Sequence, residues 1–282
     1  MPLICSIFQI RVPAAAVFLW LDEADPAERL GGGRPPWCRR WDSSGEEFAM
    51  AGSAWPAGTL MARLTVESGR DLLGLAPPQR VPAGTVLISQ GDLRSHVLLL
   101  RSHDPARSAC VKITAASRNG QQGLLGIRVS GDVVGELAAL RGTPRMATVI
   151  TCTDTVTHTI AHRDFLSFLN TRVDAWEALC RMIADRLDWA NRRRLDFAGY
   201  EVPIRLARVL LELAERHGSA LAGRYGLGVR LSQTELGALI GAREDTISSA
   251  MRQLRAQGLV TTAYRTVTIT DLDGLRVFAD DF

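Results

Sequence analysis

A chain of 282 residues is long enough for two domains with cores of their own. With 46% hydrophobic and 22% charged residues it reads as a soluble globular protein, and a net charge of +3 excludes any argument from bulk electrostatics. Five scattered cysteines, Cys5, Cys38, Cys110, Cys152 and Cys180, argue against a disulfide framework and fit reduced cytosolic thiols, hence a cytoplasmic location.

Residues 1–58 stand apart. They carry Gly31-Gly32-Gly33, Pro35-Pro36 and Pro56, with Trp20, Trp37 and Trp41 in no clear period, so the expectation is a disordered extension or a mis-assigned start, with Met50 and Met61 as later alternatives. The apolar stretch from Val12 to Leu21 contains Pro13, lacks a basic start and runs into Asp22, Glu23 and Asp25, which fits a signal peptide poorly. No run approaches the roughly 18 apolar residues of a membrane span.

From Leu64 to Ile160 short apolar runs alternate with Gly and Asp turns, as in Val97–Leu100, Cys110–Thr114, Leu124–Ile127 and Val149-Ile150. Many short strands with regular turns predict a β jelly roll over 59–170. Within it, Gly135-Glu136-Leu137-Ala138 is followed by Pro144-Arg145-Met146-Ala147-Thr148. A turn glycine, a carboxylate and an arginine so close together suit a cyclic phosphodiester. Glu136 accepts from a ribose hydroxyl, Arg145 pairs with the phosphate, and amides after Gly135 face the same anion. An ion pair between Glu136 and Arg145 is the plainer alternative.

Residues Val134 to Val149 resemble the phosphate-binding cassette of cyclic-nucleotide-binding domains, as in the regulatory subunit of protein kinase A and the CRP/FNR transcription factors. Val81 to Asp92 resembles the early strands and turn of the same domain. With the C-terminal module described below, the resemblance covers roughly residues 60–275. It implies an effector site formed by Gly135, Glu136, Leu137, Ala138, Arg145, Met146 and Ala147, with a cyclic nucleotide, cAMP ahead of cGMP, or a related small effector as the ligand. Such cassettes place a small or hydroxyl residue after the phosphate arginine, where Met146 stands here. Ser102–Ala109 replaces the family's tight turn and reads as a surface insertion. No close-spaced cysteine set for an iron–sulfur cluster is present, and no metal is expected.

A long helix is expected after Asp164, with a dimerisation segment over 171–200. Val173, Trp176, Cys180, Ile183, Leu187, Ala190, Arg194 and Phe197 alternate at spacings of three and four, the seam of a two-stranded coiled coil and hence of a homodimer. A single helix lying on its own barrel is the competing reading. Similarity to the CRP dimer helix through Glu201-Val202-Pro203 puts Asn191 where a hydrogen-bond partner for the base is expected, with Ala190 in place of a hydroxyl residue.

The last module is expected over 201–282. Ile204 to His217 is amphipathic, and Leu231 to Leu254 reads as helix, glycine turn, helix. Ser232 and Glu235 form a capping box, Gly241 allows the bend, and Leu236, Leu239 and Ile240 face Ile247, Met251 and Leu254. Leu259-Val260 and Thr266–Ile269 predict a wing hairpin. The segment resembles the winged helix-turn-helix of CRP/FNR regulators, which implies that Arg243, Glu244, Asp245, Thr246, Ser248, Ser249 and Arg252 face a DNA major groove. Ser232, Gln233 and Thr234 then meet phosphate. Glu244 and Ser249 stand where the family usually has arginine, so its usual operator is not expected. Ten arginines matched by ten acidic residues from Glu201 onward give DNA binding weak electrostatic support, and a winged helix used for protein contact is the plainer alternative.

A metal-dependent cupin enzyme using His96, His103, His158 and His162 is the remote alternative. No Ser/His/Asp, Walker or Rossmann pattern suggests other catalysis. The reading is an α+β regulator, not an enzyme, whose partners are double-stranded DNA, a second copy of itself and RNA polymerase. A CRP-like regulator with a degenerate, ligand-free pocket is the alternative.

Overall fold

The computed structural model describes residues 55–103, 108–120, 122–221 and 224–280. The expectations for most of the N-terminal extension, and for the centre of the insertion at 104–107, fall outside the described residues.

Two short helices open the described chain, α1 (Leu60–Arg63) and α2 (Val66–Gly74). Each is capped by a threonine: Thr59 accepts from the Ala62 amide and Thr65 from the Ser68 amide, which satisfies a donor that a helix start leaves open. The jelly roll follows with β1 (Pro78–Val81), β2 (Val86–Ile88), β3 (Val97–Ser102), β4 (Cys110–Ala116), β5 (Gln122–Val129) and β6 (Val133–Val134). After α3 (Glu136–Arg141) it closes with β7 (Thr148–Thr151) and β8 (Thr155–Ile160). Two antiparallel sheets result, ordered β1-β8-β3-β6 and β2-β7-β4-β5. Strand alternation sends Leu98, Leu100, Val111, Val134 and Val149 into a common core between them.

The expected long helix is divided. α4 (His162–Thr171) ends at Arg172, whose extended backbone separates it from the 27-residue α5 (Val173–Gly199). The break is held by charge: Arg172 pairs with Glu67 at 2.9 Å and with Asp71, while Asp174 accepts from the Thr65 amide and hydroxyl and from Ser68. α5 buries Ala175, Ala178, Leu179, Met182 and Trp189 against its own chain. The opposite stripe stays uncovered, with Val173 85%, Leu187 59% and Phe197 58% exposed. Packing on the barrel therefore accounts for one face of α5; of the predicted seam, Val173, Trp176, Leu187 and Phe197 lie on the uncovered face, whereas Ile183 packs against the core.

The C-terminal module comprises α6 (Val202–His217), β9 (Ser219–Leu221), β10 (Arg224–Gly226), α7 (Gln233–Ile240), α8 (Glu244–Ala256), β11 (Val260–Ala263), β12 (Thr266–Ile269) and α9 (Leu272–Asp280). The wing is as expected, Ala263 facing Thr266 across a two-residue turn. The sheet order β11-β12-β10-β9 adds two three-residue strands, too short to show periodicity in sequence. The acidic tail beyond the wing forms α9, which buries Leu275 and Ala279 in the same core as α6. That core continues onto the outer face of the jelly roll, where Cys110, Leu124, Ile127 and Val129 meet Leu206, Leu210, Leu239 and Ile240. An ion pair between Lys112 on β4 and Glu235 on α7 crosses the same junction.

Candidate functional site

The cassette is built around a backbone requirement. Gly135 has φ +87, and a Cβ there would overlap the Arg145 guanidinium and lie 3.1 Å from the His96 carbonyl, so a residue without a side chain is needed on both counts. The turn leads into α3 and puts Glu136 in the interior, 5% exposed. Its carboxylate accepts from Arg186 Nη1 of α5 at 2.7 Å, and Arg186 Nη2 donates to Asp132 Oδ1 and to the Val133 carbonyl, both at 3.1 Å.

Arg145, 3% exposed, donates to the Gly135 carbonyl at 2.7 Å and to the His96 carbonyl, while its Nε has no acceptor in the described chain. Burial lowers the pKa of this guanidinium against the opposing fields of Asp92 and Glu136. Both groups expected to hold a cyclic nucleotide thus have protein partners. The simple Glu136–Arg145 pair is not what forms, because Arg186 takes the carboxylate.

Behind the cassette lies a cavity of about 420 Å³, within the range of small-molecule sites. Gly135, Glu136, Leu137, Ala138, Arg145, Met146 and Ala147 all line it, and Ile88, Ile113, Val134, Val149, Ile183 and Trp189 supply apolar walls. Asn191 is the exception among the expected residues: it is exposed, and Ala190 takes the place on the wall. One helical residue is a turn of about 100°, enough to send the amide to the outer face.

Three further residues, Asp132, Arg186 and Arg128, belong to the site without any mark in the sequence. The first two are joined through an ion pair spanning more than fifty residues, which leaves no spacing signal. Arg128 projects from β5 into the cavity wall and donates Nη1 to the Ile127 carbonyl at 2.7 Å. Burial, reinforced by the nearby Arg186 charge, lowers its pKa to about 9 despite Asp132 and Glu136. Of the histidines, His158 is buried with Nδ1 2.7 Å from the Ala76 carbonyl. Among the described residues no group of three or more His, Cys, Asp or Glu gathers as a metal set.

The second surface belongs to α7 and α8. Ser232 caps α7 by accepting from the Glu235 amide at 3.2 Å, and Glu235 returns a bond to the Ser232 amide at 2.8 Å. Gly241 ends the helix at φ +65. Ile247, Ala250, Met251 and Leu254 anchor α8, leaving Asp245, Ser249 and Arg252 exposed on its other face, with Arg243, Glu244 and Thr246 exposed at its start. Two expected phosphate-contact residues also join the helices: Ser248 donates to Gln233, and Thr234 to Glu244 at 2.7 Å. The wing tip adds Tyr264, 87% exposed, and Arg265 at φ 54.

Residues 78–172 match the cyclic nucleotide-binding domain and residues 204–278 the Crp-like helix-turn-helix domain. The chain is 27% identical over 198 residues to a CRP-like cAMP-activated global transcriptional regulator of Mycobacterium tuberculosis, covering 70% of this chain and 86% of that protein. It is 22% identical over 191 residues to the cAMP-activated global transcriptional regulator CRP of Salmonella typhimurium, covering 67% of this chain and 88% of that protein. Among solved structures, the c-di-GMP responsive regulator CLP of Xanthomonas campestris superposes with a TM-score of 0.60 at 22% identity, over 73% of this chain and all of that one. A CRP-family transcriptional regulator from Thermus thermophilus gives 0.59 at 22% identity, over 72% and 96%. These structures share the fold. Fold and site define a DNA-binding transcription regulator with a cyclic-nucleotide-binding domain. The chain belongs to the CRP/FNR family.

Proposed function

We propose that the protein is a homodimeric regulator whose DNA binding is controlled by a cyclic nucleotide, cAMP first, in the cavity behind the cassette, and that it acts with RNA polymerase. The observation that carries the reading is the convergence on one 420 Å³ cavity of the seven cassette residues named from sequence. Arg145 supplies the cation. Its unpartnered Nε–H is a donor that a phosphate oxygen can satisfy once the side chain rotates from the Gly135 and His96 carbonyls. Glu136 is set for a ribose hydroxyl, with Arg186 fixing its orientation. The exposed stripe on α5 is the surface that the second copy covers, and Asn191, beside Leu187 and Arg194, then lies toward that copy. α8 enters the major groove through Arg243, Asp245, Ser249 and Arg252, with Ser232, Gln233 and Thr234 at phosphate.

A second reading rests on Met146. It belongs to the cavity lining, is 53% exposed and carries a thioether that cannot donate to phosphate, and the polar groups beside it have internal partners. On that reading the regulator works without a nucleotide. Isothermal titration with cAMP and with cGMP, in the presence and absence of DNA, separates the two: saturable heat supports the first, and specific DNA binding with no heat from either nucleotide supports the second.

A further inference from the structure

β4 and β7 run antiparallel with Val111 opposite Thr151. The same register puts Cys110 opposite Cys152, whose amide donates to the Cys110 carbonyl at 2.8 Å. Residues directly opposed on antiparallel strands have Cα atoms about 4.5–5.5 Å apart and side chains on one face. That separation lies inside the roughly 4.4–6.8 Å that a disulfide spans. Both cysteines are free thiols, and the Cys152 thiol lies 3.9 Å from the Ile150 carbonyl. Cys110 is buried in the core shared with the helix-turn-helix, whereas Cys152 is half-buried. Lys112 is on the same face two residues along β4, and its ammonium pairs with Glu235 of α7.

We infer that Cys110 and Cys152 form a peroxide-oxidisable dithiol, a reversible modification site at the junction between the sensor sheet and the first helix of the DNA-binding motif. The two thiols differ in the way such chemistry requires. The adjacent Cys110 thiol is the main influence holding the Cys152 thiol below its usual pKa, with help from the Lys112 charge and amide and against burial. The neighbouring Cys152 thiol and burial push Cys110 up. Cys152, the half-buried thiol that solvent reaches, is the nucleophile, and the buried Cys110 is the resolving thiol. The Cys152 thiolate attacks one oxygen of hydrogen peroxide, the O–O bond breaks, and Cys152 becomes a sulfenic acid as hydroxide leaves. Cys110 gives up its proton, its sulfur displaces hydroxide from the sulfenic sulfur, and the S–S bond forms. Two thiols and one peroxide become one disulfide and two waters.

The disulfide ties β4 to β7 two residues from Lys112, whose ammonium pairs with Glu235. The strand pair against which α7 docks is stiffened, and α7 is held more firmly against the sheet.

Full-length protein is treated with hydrogen peroxide, alkylated and cut with trypsin, which releases Cys110 in peptide 108–112 and Cys152 in peptide 146–163. The expected product is those two peptides joined, formed before any product at Cys180 and lost on reduction with dithiothreitol. In Cys110→Ser, dimedone labels Cys152; in Cys152→Ser, whose site is half-buried and tolerant, Cys110 stays reduced. Hydrogen exchange over 233–240 slows at least twofold on oxidation of the parent and is unchanged in Cys152→Ser. Oxidation of Cys180 without the linked peptides, equal dimedone labelling of the two variants, or α7 exchange indifferent to oxidation would overturn the inference.

Discussion

Arg186 of α5 donates to Glu136 of the cassette at 2.7 Å, so the helix that carries the exposed seam and the loop that lines the cavity share one buried ion pair. Asp132 completes it from the other side at 3.1 Å. Removing one partner of a buried pair leaves a charge without compensation, at a cost of about 3–5 kcal/mol. Arg186→Leu is expected to lower the urea midpoint accordingly. A midpoint within experimental error of the parent would show that the pair contributes nothing.

The seam prediction concerns association rather than folding. Leu187 is 59% exposed in one chain, so Leu187→Lys leaves the fold of each copy intact. In the dimer the same ammonium is buried without a partner, which disfavours association by several kcal/mol. Sedimentation should find monomers where the parent gives dimers.

On the DNA face two variants should behave differently. Arg252→Ala removes an exposed cation from the solvent face of α8, the face proposed to enter the groove, and is expected to relax base preference with a loss of about 1–3 kcal/mol. Ser232→Ala should weaken all sequences alike and, because Ser232 caps α7, also lower stability by about 1 kcal/mol. Binding curves on specific and random duplexes, with thermal melts, distinguish the two.

The junction between sheet and helix-turn-helix is pH-sensitive through Glu235. Burial, the largest single influence, raises its pKa, but the Lys112 and Ser232 bonds outweigh it and the net shift is downward. A depressed carboxylate stabilises the fold above its unfolded value, about 4.3, and that contribution is lost as pH falls through the lower folded value. Lys112→Met should therefore be less stable than the parent at pH 7, with the difference shrinking below about pH 4.

Elements with local signals were legible in the sequence. The capping box of Ser232 and Glu235, the bend at Gly241 and the wing at Thr266–Ile269 all rest on spacing or on one backbone requirement. Gly135 and Arg145 were legible for the same reason. Arg186 and Asp132 were not, because their partnership with Glu136 is created by the docking of α5, fifty residues away. Asn191 shows the converse limit: a gapless likeness fixed its position on α5, and the helix turned its side to the outer face.

Met146 bears most directly on the effector. Replacing its thioether with a hydroxyl frees space and adds a donor, so Met146→Ser should tighten cAMP binding about tenfold, one neutral hydrogen bond to phosphate. Equal affinity in the two forms would show that the thioether does not crowd the ligand.

The most direct measurement is calorimetric titration of cAMP into the parent and into Arg145→Ala. A cyclic nucleotide held by the cassette gives saturable heat with the parent and none with the variant. Absence of binding in the parent, or equal binding in both, would contradict the assignment of the cavity.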